Sequence, residues 1–206
     1  DRSGYSTDGG TTWNVFATKP NPVPGDNFAH AFGTIAANKA SSQRILWAPH
    51  ASRAVYLTTD RGQTWAPIVM AGMSGVALPG PGNAYHIKQR RVCWDHVNTM
   101  TAYMLHPGND GQSTGLRGWW RSTDGGVNWS HVADLPFASP WVIWYASIYH
   151  SRVRAVPGKA GHLFFLTGRV DGTIQSTLQR STDGAVTWSD VTGIKETNDI
   201  AFGPEI

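Results

Sequence analysis

An all-β fold of short antiparallel strands is predicted by three features of this 206-residue sequence. Glycine (23) and tryptophan (10) are abundant while charged residues make up only 15%. That balance suits tight turns and half-buried strands rather than solvated helices. No stretch of useful length repeats its apolar residues at helical spacing. Most telling, a short turn motif occurs four times.

The copies are Ser6-Thr7-Asp8-Gly9-Gly10-Thr11-Thr12-Trp13, Thr58-Thr59-Asp60-Arg61-Gly62-Gln63-Thr64-Trp65, Ser122-Thr123-Asp124-Gly125-Gly126-Val127-Asn128-Trp129 and Ser181-Thr182-Asp183-Gly184-Ala185-Val186-Thr187-Trp188. In each, the tryptophan follows the aspartate by five positions, and successive aspartates are 52, 64 and 59 residues apart. Asp-Gly favours a hairpin turn because glycine reaches positive φ without steric cost. The carboxylate can accept backbone N–H bonds within the turn. The preceding Ser or Thr closes one strand, and the tryptophan opens the next and offers a large ring for burial between sheets. Asp8, Trp13, Asp60, Trp65, Asp124, Trp129, Asp183 and Trp188 are therefore read as structural. Arg61 and Ala185 each replace a glycine and should weaken their turns slightly. A repeat of this period fits a four-stranded propeller blade with variable loops.

The motif resembles the Asp-box, or bacterial neuraminidase repeat, found in sialidases, sortilin-type receptors and glycoside hydrolase family 74. The run Val153-Arg154-Ala155-Val156-Pro157-Gly158-Lys159-Ala160-Gly161-His162-Leu163 before the fourth box, with Asp199-Ile200-Ala201-Phe202-Gly203 after it, is similar to family 74 xyloglucanases. The resemblance runs from about Asn27 onward. It implies that each box joins the third and fourth strands of a blade. It also implies an inverting glycosidase, with an acid and a base aspartate flanking a gap of roughly 6.5–9.5 Å. No segment matches the surroundings of either catalytic aspartate, so the resemblance carries no catalytic residue across.

Strand by strand, alternation and turn signals predict a hairpin over Ser3–Thr18, then three complete blades. The first uses Ala31–Ala37, Arg44–Ala48, Ala54–Thr59 and Thr64–Val69. The second uses His86–Asp95, Thr101–His106, Gly118–Thr123 and Asn128–Ala133. The third uses Ser151–Val156, His162–Gly168, Thr177–Thr182 and Thr187–Val191, and a lone strand follows near Asp199–Phe202. The expected blades thus span about 1–18 (partial), 27–70, 84–133, 148–192 and 198–206 (partial) of one propeller or half-propeller. Since an open ring leaves sheet edges bare, two closures are open. The terminal pieces join in a small ring, or the chain is half of a larger ring completed by further sequence or a second copy. The larger ring is preferred, and a homodimer is its two-copy form. The chain opens inside a repeat with no signal peptide at Asp1, so upstream sequence is expected.

Loops opposite the box turns are the expected functional face: 19–29, 66–85, 134–149 and 190–198, with 49–53, 107–117 and 169–176. They hold Trp141, Trp144 and Tyr145 beside Pro140, and Tyr85 with His86, while Trp119 and Trp120 follow another loop and His30 a further one. Aromatic faces stack on sugar rings while neighbouring polar groups bond hydroxyls, which suits a glycan cleft. Of the fourteen acidic residues, the box aspartates belong to turns and Asp95 reads as a strand-to-turn aspartate. Asp134, Asp190, Glu196, Asp199 and Glu205 read as loop or turn charges. Asp26, Asp110 and Asp171 lie on the functional face, and Asp26 is the candidate acid.

Other chemistries find less support. The eight histidines are scattered without metal-ligand spacing, so no metal or cofactor is expected. The net charge of +3 is spread thinly, with one tight group at Lys88, Arg90 and Arg91, so nucleic acid is not an expected partner. No apolar run reaches the length of a membrane span. A sialidase would need an arginine triad and a Tyr/Glu pair, yet the only glutamates are Glu196 and Glu205. A lyase could use Tyr85 with His86 or Tyr149 with His150. The single cysteine, Cys93, reads as a buried strand thiol. Three classes of function remain: a family 74-like hydrolase acting on β-1,4-glucans such as xyloglucan, a non-catalytic glycan-binding module or lectin, and a protein-interaction propeller. A polysaccharide or oligosaccharide is the expected partner, met in a secreted or periplasmic setting.

Overall fold

Fifteen short strands and no helix make up the described part of the computed structural model, which covers residues 4–20, 33–49, 54–70, 91–106, 118–134, 152–166, 178–194, 197 and 199–203. β1 (Gly4–Tyr5) and β2 (Asn14–Val15) form the first hairpin. β3 (Gly33–Ala37), β4 (Ile45–Pro49), β5 (Tyr56–Thr58) and β6 (Ala66–Pro67) form an antiparallel meander, the first sheet. β8 (Arg91–Trp94), β9 (Ala102–His106), β10 (Gly118–Ser122) and β11 (Asn128–Ala133) form the second. β12 (Arg152–Ala155), β13 (Leu163–Leu166), β14 (Leu178–Ser181) and β15 (Ser189–Asp190) form the third. Every box joins the last two strands of its sheet, as the resemblance implies.

Two strand expectations need correction. The strand expected over Thr64–Val69 breaks at Ile68. Pro67 still pairs with Tyr56, and its missing N–H leaves the outer edge of β6 without a donor there. Ile68 donates its N–H back to Val55, and β7 (Val69–Met70) crosses over to pair in parallel with β11. This strand covers the outer edge of the second sheet, which would otherwise be bare. Near Asp199–Phe202 no strand forms among the described residues; the segment meets the third sheet through Asp199 beside Arg154 and Phe202 beside Phe164.

The core is mortar between sheets. Along β9, Ala102 and Met104 face the first sheet, where they join Leu46, Ala48, Leu57, Trp94, Trp120 and Trp129. Tyr103 and Leu105 face the third sheet, beside Trp119, Val153, Leu163 and Phe165. Both faces of this strand are covered, so its period-two alternation separates two cores rather than core from water. The first strands β3, β8 and β12 adjoin one another, so they line the inner side of the arc.

Candidate functional site

Each box aspartate spends its acceptors on its own turn. Asp124 takes bonds from the Ser122 hydroxyl (2.8 Å), Asn128 N–H (3.0 Å) and the Asn128 side-chain amide (2.7 Å). Ser122 Oγ in turn accepts the N–H of Gly126. The same set holds Asp8, Asp60 and Asp183, where Thr12, Thr64 and Thr187 replace Asn128. These bonds draw Asp8 and Asp60 down to about 2 from an ordinary value of 3.8, led by Thr12 and Thr64. Anions so thoroughly engaged cannot act as general acids near neutral pH. Arg61 and Ala185, which replace glycines, keep left-handed backbones with φ of 59° and 71°.

The box tryptophans differ among themselves. Trp129 is buried against the first sheet, and Trp188 stacks on Trp119 at 4.4 Å between ring centroids. Trp65 meets Phe16 of the hairpin edge-on at 5.4 Å. Each therefore leans on the sheet that precedes it. Trp13 departs from the expectation of burial and is 70% exposed.

A second correction concerns Trp119 and Trp120, read above as glycan contacts. They are 0% and 2% exposed. Their strand β10 lies inside a sheet covered on both sides, so Trp119 points into one core and Trp120 into the other. Neither ring can stack on a sugar. Asp26, His30, Tyr85, His86, Trp141, Trp144 and Tyr145 lie outside the described residues.

On the inner side of the arc, a cavity of about 330 Å³ opens between β3, β8 and β12. Ile35, Lys39, Cys93, His96, Arg154 and Phe202 are among its walls. Cys93 there is half-buried rather than fully buried, and desolvation pushes its thiol up to about 12, far from the thiolate a nucleophile needs. Among the described residues no three His, Cys, Asp or Glu side chains are placed to hold a metal ion.

The sequence does not reveal a second set of groups that tie neighbouring sheets together. Asp95, 1% exposed, caps its own turn through Val97 and Asn98 N–H and also accepts Tyr103 OH (2.9 Å) and Gly161 N–H (2.8 Å) from the third sheet's turn. Burial pushes its carboxyl up, but these bonds outweigh it and leave the group below the ordinary value. Asn38, at the same place in the first sheet, sends its amide to Thr99 O of the second. Arg44 donates to Gly125 O at 3.1 Å, and Arg121 to Gly184 O at 3.4 Å.

Repeated box turns, sheets stacked in an arc and aromatic mortar define an Asp-box β-propeller. Residues 5–15 match the BNR/Asp-box repeat family model. The chain resembles glycoside hydrolase family 74: it is 28% identical over 161 residues to a xyloglucanase of Acetivibrio thermocellus, covering 71% of this chain and 17% of that protein. A xyloglucanase of Hypocrea jecorina is 25% identical over 208 residues, covering 96% of this chain and 23% of that one. The crystal structure of a GH74 enzyme from Niastella koreensis superposes with a TM-score of 0.62 at 23% identity, over 95% of this chain and 22% of the other. The chain therefore spans about a sixth to a quarter of the length of these relatives.

Proposed function

We propose that the chain is a glycan-binding portion of a xyloglucan-directed propeller protein, which acts outside the cell where its polysaccharide lies. The observation that carries this reading is the similarity to xyloglucanases over 71% of the chain or more. The chemistry on hand favours binding over hydrolysis within these residues. The four box aspartates are held as turn anions, and Asp95 is closed in between sheets. Asp26 is the remaining candidate acid, and Trp141, Trp144, Tyr145, Tyr85, His86 and His30 are the proposed glucan contacts. Hydrolysis belongs to the whole protein, with this chain gripping the β-1,4-glucan backbone by ring stacking and hydroxyl bonds.

Affinity electrophoresis in gels containing xyloglucan tests this. The chain should be retarded relative to a glycan-free gel, and Trp144→Ala should lose most of that retardation. Asp26→Ala should bind as before, and should abolish hydrolysis in the whole protein if Asp26 is its acid. Equal mobility with and without xyloglucan would remove the reading.

A further inference from the structure

Where the first and second sheets meet, their bonds converge on the turn between β8 and β9. That turn gives Thr99 O to the Asn38 side-chain amide of the first sheet at 2.5 Å. The next residue, Met100, offers its carbonyl to the Gly125 N–H at 2.8 Å, and Gly125 O accepts the Arg44 guanidinium at 3.1 Å. Asn38 and Arg44 thus hold both the turn and the box beside it. Between the second and third sheets the plan recurs, with Gly184 N–H on Gly161 O and Arg121 on Gly184 O. There the place of Met100 is taken by Gly161, which has no side chain; here it carries a thioether.

The Met100 side chain lies over Gly125 together with Arg44. A Cβ added to Gly125 would collide with the guanidinium and would stand 2.8 Å from the Met100 methyl. The two side chains therefore meet above the same peptide. Met100 is also open to solvent, at 45% exposure against 9% for Met70 and 0% for Met104. It belongs to the middle sheet, with a described sheet packed on each side, so its exposure does not arise at an end of the sequence. The Cys93 thiol stays protonated and does not compete for an oxidant.

We propose that Met100 is a modification site, oxidised to the sulfoxide by hydrogen peroxide, and that its oxidation loosens the contact between the first and second sheets. The sulfur lone pair attacks one peroxide oxygen, and the O–O bond breaks as the S–O bond forms. The second oxygen leaves as hydroxide and takes the proton from the first to become water. Sulfur loses two electrons and the peroxide gains them. A thioether is a weak acceptor, whereas the sulfoxide is polar. Its oxygen, formed beside Arg44, competes with Gly125 O for the guanidinium and draws the arginine of the first sheet off the box of the second. This inference does not depend on the glycan reading.

Treatment with dilute hydrogen peroxide, followed by peptide mapping and thermal melting, tests it. Fragmentation of the peptides should place one added oxygen on Met100 before Met70 or Met104. The melting temperature should fall by about 2–4 °C, the size expected when one hydrogen bond is lost from a chain of this length. Met100→Leu keeps the apolar bulk over Gly125, so it should start at the parent's melting temperature and hold it through the same treatment. Arg44→Ala removes the donor for which the two oxygens compete; it should start lower and fall no further. Oxidation that reaches Met70 or Met104 first overturns the proposal, as does a sulfoxide at Met100 with unchanged melting. A fall that persists in Met100→Leu overturns it by assigning the effect to another residue. An equal fall in Arg44→Ala overturns it by reducing the effect to lost methionine packing.

Discussion

The box aspartate is the residue on which each turn depends, and its chemistry sets a pH signature. Asp8 and Asp60 titrate near 2 when folded, against about 3.8 when free. In Asp124 and Asp183 burial pushes upward, yet the bonds led by Asn128 and Thr187 outweigh it and also lower the carboxyl. A depressed carboxyl stabilises the fold above its unfolded value, and that contribution is lost as pH falls through the folded one. Melting temperature should therefore hold down to about pH 4 and fall steeply between about pH 4 and 2; a flat profile there would deny the turn bonds. Glycines at the next position give a second test. Gly9 and Gly125 both have left-handed φ, 72° and 82°. An alanine at Gly9 meets only that backbone cost, about 1 kcal/mol. Gly125→Ala also collides with Arg44 and should cost about 1 kcal/mol more by urea unfolding.

Among the elements, legibility in the sequence followed periodicity. The box hairpins could be read because Ser/Thr, Asp, Gly and Trp recur at fixed spacing and the bonds of each box aspartate stay within its own turn. β9 and β10 could be placed, but not the side each tryptophan takes. With both faces of the sheet buried, alternation no longer distinguishes core from surface, and Trp119 and Trp120 were as compatible with a cleft as with a core. Pro67 is a strand-edge residue that the expected Thr64–Val69 strand ran through, and the parallel pairing of β7 with β11 depends on an edge formed 59 residues later. Links such as Asp95 to Gly161 are likewise long-range, and only the Asx-type turn of Asp95 was visible locally. That carboxylate serves Tyr103 OH and three backbone N–H groups. Asp95→Ala strands these buried donors and should cost about 3 kcal/mol in urea unfolding. A loss below about 1 kcal/mol would mean that the neighbouring sheets are not joined there.

At the scale of the whole molecule, the arc of described sheets is held by rings laid between successive sheets. Trp65, Trp129 and Trp188 are mortar, while the proposed sugar contacts lie outside the described residues. The candidate glycan residues were suggested by composition and loop placement alone, since no local repeat marks them. Trp129→Ala separates the two roles most directly, by measuring urea unfolding alongside retardation in xyloglucan gels. Removing this buried ring should cost about 3–5 kcal/mol, with retardation unchanged under conditions where the variant is folded. An unchanged unfolding midpoint together with lost retardation would make the box tryptophan a ligand contact and contradict the account.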